Sequence, residues 1–246
     1  MEKYSVSAID QSDAKYGFSG TTGQFSRGQE VASLIHQVEE LHTLNESAWS
    51  FRQYKKQFGA PACKGSYNSE RKMMRLKIDI TAPLEKVLVY LLTPPFGFRN
   101  MLERDGGNTQ IVERLGGGAI VAYKDIPAQV LCCCNVAARD SLVLAAVKIP
   151  TSNVAIAGIK SIEHPSHPPK DDAYRIDIPL AGLYLEQEGD VVHVEEFVSE
   201  IDVKGKIGKR GPGSQMQQMV RRMIALGRAI PRMQDVVGQP PYMQFM

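Results

Sequence analysis

The sequence predicts an α+β fold in which a strongly curved antiparallel sheet wraps around a long C-terminal helix. An amphipathic helix comes first, a run of about six antiparallel strands fills the second half of the chain, and a longer amphipathic helix follows. Strands followed by one such helix must bury one sheet face against it. Because a curved sheet leaves space beside the helix, an apolar interior that suits a hydrophobic ligand is expected.

The periodicity of apolar residues places the elements along the chain. Apolar residues recur at helical spacing in residues 28–44, and they alternate with polar residues in residues 73–81. The last helix begins near Ser214 and should kink or end at Pro231. Short helices are predicted around residues 83–92 and 98–104, and further strands in residues 47–59, 118–126, 141–149, 153–163, 173–186 and 191–203.

Composition and charge argue against several classes of protein. With 29 basic and 27 acidic residues, the net charge is only +2, so no nucleic-acid partner is expected. No stretch approaches the roughly 20 apolar residues of a membrane span, and the N-terminus has no apolar signal core. Cys63 is isolated and Cys132 to Cys134 are adjacent, a pattern typical of free thiols. A cytoplasmic location is therefore expected.

Three segments differ in composition. Residues 1–27 are rich in Ser, Gly, Thr and Gln and are predicted to form a flexible N-terminal tail. Residues 28–237 form one domain, and residues 238–246 a C-terminal tail. The chain has no internal repeat, and we expect a monomer.

Motifs for catalysis, phosphate binding and metal binding are incomplete. The glycine-rich stretches KGKIGKRGPGS and LGGGAIV lack the spacing of phosphate and dinucleotide loops and are interpreted as turns. No G-x-S-x-G elbow is present. His164 and His167 stand three residues apart, but a zinc site needs three or four ligands, which this stretch does not offer. We predict no catalytic residues, no cofactor and no metal.

Several motifs, taken in order, resemble one domain family. Arg139-Asp140 opens a strand after a long loop, SIEHPSHPP follows, then YRIDIPLAGLYLE, then DVKG at the end of the last strand, then the C-terminal helix. This order is similar to that of the START (steroidogenic acute regulatory protein-related lipid transfer) domain over residues 31–237. The resemblance implies a helix-grip fold, also seen in Bet v 1-like proteins. It also implies intracellular binding of one lipid in an apolar tunnel closed by the C-terminal helix, and its transfer between membranes without catalysis.

The resemblance also suggests ligand-contacting residues. Arg99 and Glu103 match the cavity pair of the phosphatidylcholine-binding branch, with Leu102 where that branch has Trp. Four-residue spacing puts both on one helix face, where they could engage a zwitterionic headgroup or form a surface ion pair. Ala145 stands where the sterol branch has a cavity Arg, so a phospholipid is favoured and a sterol stays possible. The full predicted ligand-binding set is Arg99, Glu103, Tyr123, Leu183, Met216, Met219, Met223 and Ile224.

The last helix is predicted to act as a lid at the membrane. Its apolar stripe is rich in methionine, which repacks easily around different chains, although an ordinary core helix would show the same stripe. Basic residues before and along it would attract anionic lipid headgroups. The predicted membrane-contact set is Val130, Leu131, Lys206, Lys209 and Arg210, and the basic residues of the helix are Arg221, Arg222, Arg228 and Arg232.

A structural role is predicted for Arg139, Asp140 and His164, which would fix the loop and the proline-rich turn to the strands. Two alternative functions remain. One is an enzyme of hydrophobic substrates on the same scaffold, using Arg99, Glu103 and Tyr123. The other is a lipid-sensing module that binds its ligand without exchanging it.

Overall fold

The computed structural model describes residues 22–55, 61–92, 108–131, 134–201 and 212–233. Within these residues an open antiparallel sheet is flanked by three helices. The helices are α1 (Thr22–Thr43), α2 (Leu84–Leu92) and α3 (Pro212–Ala229), and short 3-10 turns occupy Glu46–Ala48 and Ile230–Arg232. The predicted short helix at 98–104 lies outside the described residues.

The strands form a single path in which every neighbouring pair is antiparallel. Along the sheet the order is β1-β2-β3-β12-β11-β9-β8-β5-β4, while β10 pairs in parallel with the start of β8, and β6 and β7 form a separate hairpin. The strands are β1 (Ser50–Lys55), β2 (Cys63–Asn68), β3 (Met73–Thr81), β4 (Asn108–Gly116), β5 (Ala119–Ile126), β6 (Gln129–Leu131), β7 (Cys134–Val136), β8 (Arg139–Thr151), β9 (Val154–Ser161), β10 (Tyr174–Arg175), β11 (Ala181–Glu188) and β12 (Val191–Ser199).

The helices cover opposite faces of the sheet. α1 packs against β8, β9 and β11 on what we call the outer face, and α2 and α3 pack on the opposite, inner face. Glycines let both long helices approach closely. A Cβ at Gly182 would lie 2.4 Å from Val38 of α1, and a Cβ at Gly65 would lie 2.8 Å from the Met216 sulfur of α3.

The predicted fold class is confirmed: an open antiparallel sheet carries a long C-terminal helix on one face. The alternation predicted for residues 73–81 is also confirmed, since Met74, Leu76, Ile78 and Ile80 all lie in the inner core. α3 ends at Ala229, just before Pro231, as expected for a residue without a backbone N–H.

The structure corrects several element boundaries. α1 begins at Thr22, so residues 22–27, which we assigned to the N-terminal tail, are helical. The loop predicted before Arg139 contains the β6–β7 hairpin. Strands β2 and β4 were not predicted at all. β4 ends in a turn where Gly116, Gly117 and Gly118 all have positive φ, which glycine adopts without strain.

The prediction of a single strand at 173–186 is wrong, because this segment forms two strands, β10 and β11, with a non-strand connection between them. Pro179 has no N–H to donate to a ladder. On either side of it, the Ile178 N–H donates to Ser161 Oγ at 2.8 Å and the Leu180 N–H donates to Ser199 Oγ at 3.1 Å. Two serine hydroxyls therefore satisfy backbone groups that a continuous strand would have bonded to its neighbours.

Candidate functional site

The inner face and α3 enclose the apolar residues predicted to bind a ligand. Leu183 points from β11 into the same core as the α3 stripe, consistent with its phase beside Ala181 and Leu185. The stripe is almost fully buried, with Met216 at 2% exposure, Met219 at 5% and Met223 at 0%. The inner-face members of the predicted set are Leu183, Met216, Met219, Met223 and Ile224.

One buried ion pair interrupts this apolar surface. Glu196 stands on β12 at the phase of Val194 and Val198, so its side chain faces the inner side, and it is 0% exposed. Its Oε1 accepts a hydrogen bond from Arg222 Nη2 of α3. Among the described residues, Glu196 Oε2 and Arg222 Nε have no hydrogen-bond partner. This ion pair thus links β12 to α3, and two of its polar atoms form no hydrogen bond with the described residues.

Cys63 lies near this pair on the inner face of β2 and is fully buried. Burial raises the pKa of its thiol to about 12, with a further raising effect from Glu196 and a lowering effect from Arg222. Because only the thiolate is a good nucleophile, this cysteine is chemically inert while α3 covers it.

Arg222 was predicted to lie on a basic, membrane-facing edge of the last helix, and the structure instead turns it to Glu196. Arg221 and Arg232 are exposed. Sequence analysis also missed Glu196. The available signal was its position, since it is a charged residue at an apolar phase of a strand whose neighbours Val194 and Val198 are buried.

The structure does not bring Tyr123 to the inner face. On β5, Ile120 and Ala122 face the inner core, and Tyr123 faces the outer side. Its ring centroid lies 4.7 Å from that of His167, and its hydroxyl donates to Asp140 Oδ2 at 3.4 Å. Burial is the main cause that raises the pKa of the Tyr123 phenol. Tyr123 therefore lies on the opposite side of the sheet from Leu183 and the methionines.

Asp140 anchors β10 and the following chain to the start of β8. Its carboxylate is fully buried and accepts from Arg175 Nε at 2.7 Å and from Arg175 Nη2 at 2.8 Å, a bidentate contact. Arg139, on the other side of the strand, donates from Nη1 to the Ala137 carbonyl at 2.9 Å. Arg139 thus bonds to the loop before β8, and Asp140 bonds to β10.

His164 lies in a compact turn joined to β4. Its Nδ1 accepts from the Ser166 N–H at 3.2 Å, and its Nε2 lies 3.5 Å from Glu113 Oε2. The Ser166 hydroxyl also lies 2.8 Å from His167 Nδ1. In the described part of the chain, no group of three or more His, Cys, Asp or Glu side chains is placed to hold a metal ion.

Part of the predicted ligand-binding and membrane-contact sets falls outside the described residues. Arg99, Glu103, Lys206, Lys209 and Arg210 lie outside the described residues. The backbone of Val130 and Leu131 belongs to β6, which pairs with β7 in a hairpin.

A groove of about 330 Å³ lies on the outer face beyond the end of α1. The His42 ring stacks on Tyr184 at a centroid distance of 3.6 Å, and His193 Nδ1 lies 2.8 Å from Asp79. The hydrogen bond to Asp79 is the main cause that raises the pKa of His193. Most residues that line the groove are polar or charged, unlike those of the inner face.

No helix among the described residues has the length and apolar character needed to span a membrane.

Neither a protein-family model nor a curated protein sequence matches this chain. Solved structures do match. Human StAR-related lipid transfer protein 5 is similar with a TM-score of 0.63 and 16% identity, over 85% of this chain and 98% of that one.

Two further human structures are similar. STARD10 matches with a TM-score of 0.58 and 17% identity, over 82% of this chain and 78% of that one. The lipid transfer and protein localization domain of StarD13 (DLC2) matches with a TM-score of 0.53 and 16% identity, over 82% of this chain and 98% of that one. The sheet with its C-terminal helix on the inner face therefore has the fold of the StAR-related lipid transfer (START) domains.

Proposed function

We propose that the protein binds one lipid between the inner face of the sheet and α3 and transfers it between membranes without covalent chemistry. The observation that carries this proposal is the methionine-rich stripe of α3, which lies on the inner face of a sheet with the fold of lipid transfer domains. The supporting contacts are apolar side chains from both layers, among them Leu183 and Met223.

The proposed mechanism is desolvation of the lipid in a closed apolar interior. Each methylene exposed to water costs about 0.8 kcal/mol, so an acyl chain of about 16 methylenes costs on the order of 13 kcal/mol to move through water. A protein interior that replaces water lowers this cost and therefore the barrier to transfer. No general acid or base is needed for this step.

α3 is the element that opens in this proposal. Its methionine side chains are unbranched and can repack around chains of different length and saturation. At Gly65 the missing Cβ gives the Met216 thioether its place on the sheet. Withdrawal of α3 would open the inner face along β2 and β3, where the helix now lies.

We further propose a cytoplasmic monomer that touches anionic membranes transiently through Lys206, Lys209 and Arg210, with the β6–β7 hairpin at Val130 and Leu131 entering the lipid. Basic groups near an anionic surface contribute about 1 kcal/mol each. Reversing the three charges should therefore slow transfer from phosphatidylserine-containing vesicles by at least about tenfold, and from neutral phosphatidylcholine vesicles much less. Equal slowing on both would count against steering by the membrane charge.

Two charged residues of the sequence suggest the class of lipid. Arg99 and Glu103, matched as a guanidinium and a carboxylate, favour a zwitterionic phospholipid, and a sterol is the second candidate. Tyr123 receives no support as a ligand contact, because it faces the outer side.

The decisive experiment is native mass spectrometry of the purified protein with lipid extraction from the same sample. A stoichiometric co-purifying lipid, followed by its exchange between donor and acceptor vesicles, is the expected result. Binding without measurable exchange would replace transfer by lipid sensing. No uptake from mixed-lipid vesicles would overturn the proposal.

A further inference from the structure

The strongest unexplained feature of the inner face is the Glu196–Arg222 pair. Glu196 is paired in register with Leu76 of β3, and Leu76 with Gly65 of β2, the strand on which Met216 of α3 rests. Glu196 therefore stands two strands beyond this contact, towards the middle of the sheet. Arg222 reaches it from α3 and is 22% exposed at its side chain.

The bonding capacity of this pair is only partly used. Glu196 Oε1 accepts from Arg222 Nη2, while Glu196 Oε2 and Arg222 Nε, both buried, have no hydrogen-bond partner among the described residues. Buried polar atoms in folded proteins are almost always hydrogen-bonded, and an unbonded one is costly. The two atoms belong to one ion pair, so this pair retains one acceptor and one donor without a partner among the described residues.

A hydroxyl group is complementary to this arrangement. It donates one hydrogen bond to the carboxylate oxygen and accepts one from the guanidinium N–H. An ether or ester oxygen could only accept, which would leave Glu196 Oε2 unbonded. A phosphate would gain Arg222 but would be repelled by the carboxylate beside it.

We propose that Glu196 and Arg222 form the polar subsite of the lipid site and hold the free hydroxyl of a lipid alcohol whose chain lies in the apolar interior. This inference rests on the lipid binding proposed above, and it favours a lipid with a free hydroxyl over the zwitterionic phospholipid suggested by Arg99 and Glu103. It names a class of ligand, lipids with an unesterified hydroxyl, and assigns its recognition to one residue of β12 and one of α3.

The test is a competition between two probes that differ in one hydrogen-bond donor. Dioleoylphosphatidylcholine vesicles carry equal amounts of 1-hexadecanol and its methyl ether, and bound lipid is extracted from the re-isolated protein and quantified by mass spectrometry. Since a hydrogen bond to a charged acceptor is stronger than one to a neutral group, the wild-type protein should hold the alcohol over the ether by at least about tenfold.

The variants assign this preference to the pair. Glu196→Gln places an amide where the carboxylate stood and should bring the ratio of alcohol to ether near one. Glu195→Gln is the matched control, because Glu195 is the adjacent residue on the outer face, bonded to Lys77 at 2.8 Å, and it should keep the wild-type ratio. Arg222→Lys keeps the charge of a partly exposed residue but removes Nε, and should lower the ratio at least about threefold. If Glu196→Gln does not fold, Arg222→Lys still tests whether the pair causes the preference for the alcohol.

The possible results separate the two proposals. A wild-type ratio near one, or a wild-type ratio retained in either folded variant, would overturn the hydroxyl subsite. Uptake of phosphatidylcholine alone would also overturn it, while leaving lipid binding intact. Failure to bind any lipid, including the phosphatidylcholine, would overturn lipid binding itself.

Discussion

The two faces of the sheet are each covered by a long helix, but the contacts are of different kinds. On the outer face, Leu34 and Val38 of α1 pack directly on two glycines of the sheet. A Cβ at Gly158 would lie 2.9 Å from Leu34, and a Cβ at Gly182 would lie 2.4 Å from Val38. On the inner face, α3 lays flexible methionines on the sheet and adds a single described ion pair to β12.

Further charges on the outer face form a connected network. Arg75 is buried, lies 4.4 Å over the Trp49 ring, and donates two hydrogen bonds to Glu46 at 3.1 and 2.6 Å. Lys77 bonds both Glu46 and Glu195 at 2.8 Å. On the inner face, Glu196 and Arg222 form a single pair. Buried atoms without a hydrogen-bond partner occur on both faces among the described residues, Glu195 Oε2 on the outer face and Glu196 Oε2 and Arg222 Nε on the inner face. The tight α1 contact and the four-residue charge network favour the outer layer as the one that fixes the fold, and the inner layer as the part able to move.

The largest expected effect comes from charging the α1 interface. Leu34 is 0% exposed, so Leu34→Asp places a carboxylate in a tight apolar contact and should lower the free energy of unfolding by more than about 4 kcal/mol. Urea unfolding followed by circular dichroism measures this. Ala32→Asp, on the exposed side of α1, is the matched control and should change stability by less than about 0.5 kcal/mol.

The corresponding change in α3 should separate function from folding. Combined Met219→Asp and Met223→Asp should reduce lipid transfer at least about tenfold and leave the circular dichroism of the sheet largely intact, because α1 and the strand ladders remain. Gln217→Asp with Gln218→Asp, on the exposed side of α3, is the control. Unchanged transfer would remove the role assigned to α3. If the double variant of α3 unfolds as completely as Leu34→Asp, the proposal that α1 fixes the fold while α3 can move would be wrong.

Cys63 provides a smaller but direct measure of whether the inner layer opens. It is fully buried, and its thiol has a pKa raised to about 12, so at pH 8 only about one molecule in 10⁴ carries the thiolate. Labelling by N-ethylmaleimide, read from the Cys63 peptide by mass spectrometry, should be slow in buffer and about tenfold faster when vesicles are added. The rate in urea gives the upper limit. Transfer that proceeds while Cys63 stays protected would show that α3 does not lift from β2.

Periodicity predicted the elements that are buried on one face and failed where burial is weak. β3 and α3 have nearly complete apolar stripes, so their inner-face residues could be read from spacing alone. β4 lies at the edge of the described sheet, carries Gln110 and Arg114, and contains two irregularities in its pairing with β5. An edge strand of this kind has no strict alternation to detect.

Sequence could predict the inner-face position of the apolar residues of the candidate site, whereas the predicted polar pair, Arg99 and Glu103, lies outside the described residues. The Met219 and Met223 contacts follow from helical spacing. The Glu196–Arg222 pair depends on the rotation of α3 about its axis and on which strand lies beside it, and neither is encoded in local sequence. A charged residue at a buried phase of β12 was the one available indication. Tyr123, predicted as a ligand contact, lies on the outer face, and sequence could not show this because an aromatic residue fits either face of a strand.

The smallest expected effect tests whether the outer charges contribute to stability. Hydrogen bonds from Arg75 and then Lys77 lower the pKa of Glu46 from 4.5 to about 2. The contribution of this carboxylate is therefore present above about pH 4.5 and is lost as the pH falls through about 2. Since the Glu46 side chain is 69% exposed, solvent screening keeps it below about 1 kcal/mol.

Glu46→Gln should thus cost less than about 1 kcal/mol at pH 7, and the difference from wild type should narrow as the pH falls towards 2. Urea midpoints at pH 7, 4 and 2.5 measure it, with Glu186→Gln, exposed on the same face, as the control. A difference that stays constant over this range would mean that Glu46 acts through packing rather than charge. A loss well above 1 kcal/mol would make the outer charge network, and not the α1 contact alone, part of what holds this face rigid while the inner helix moves.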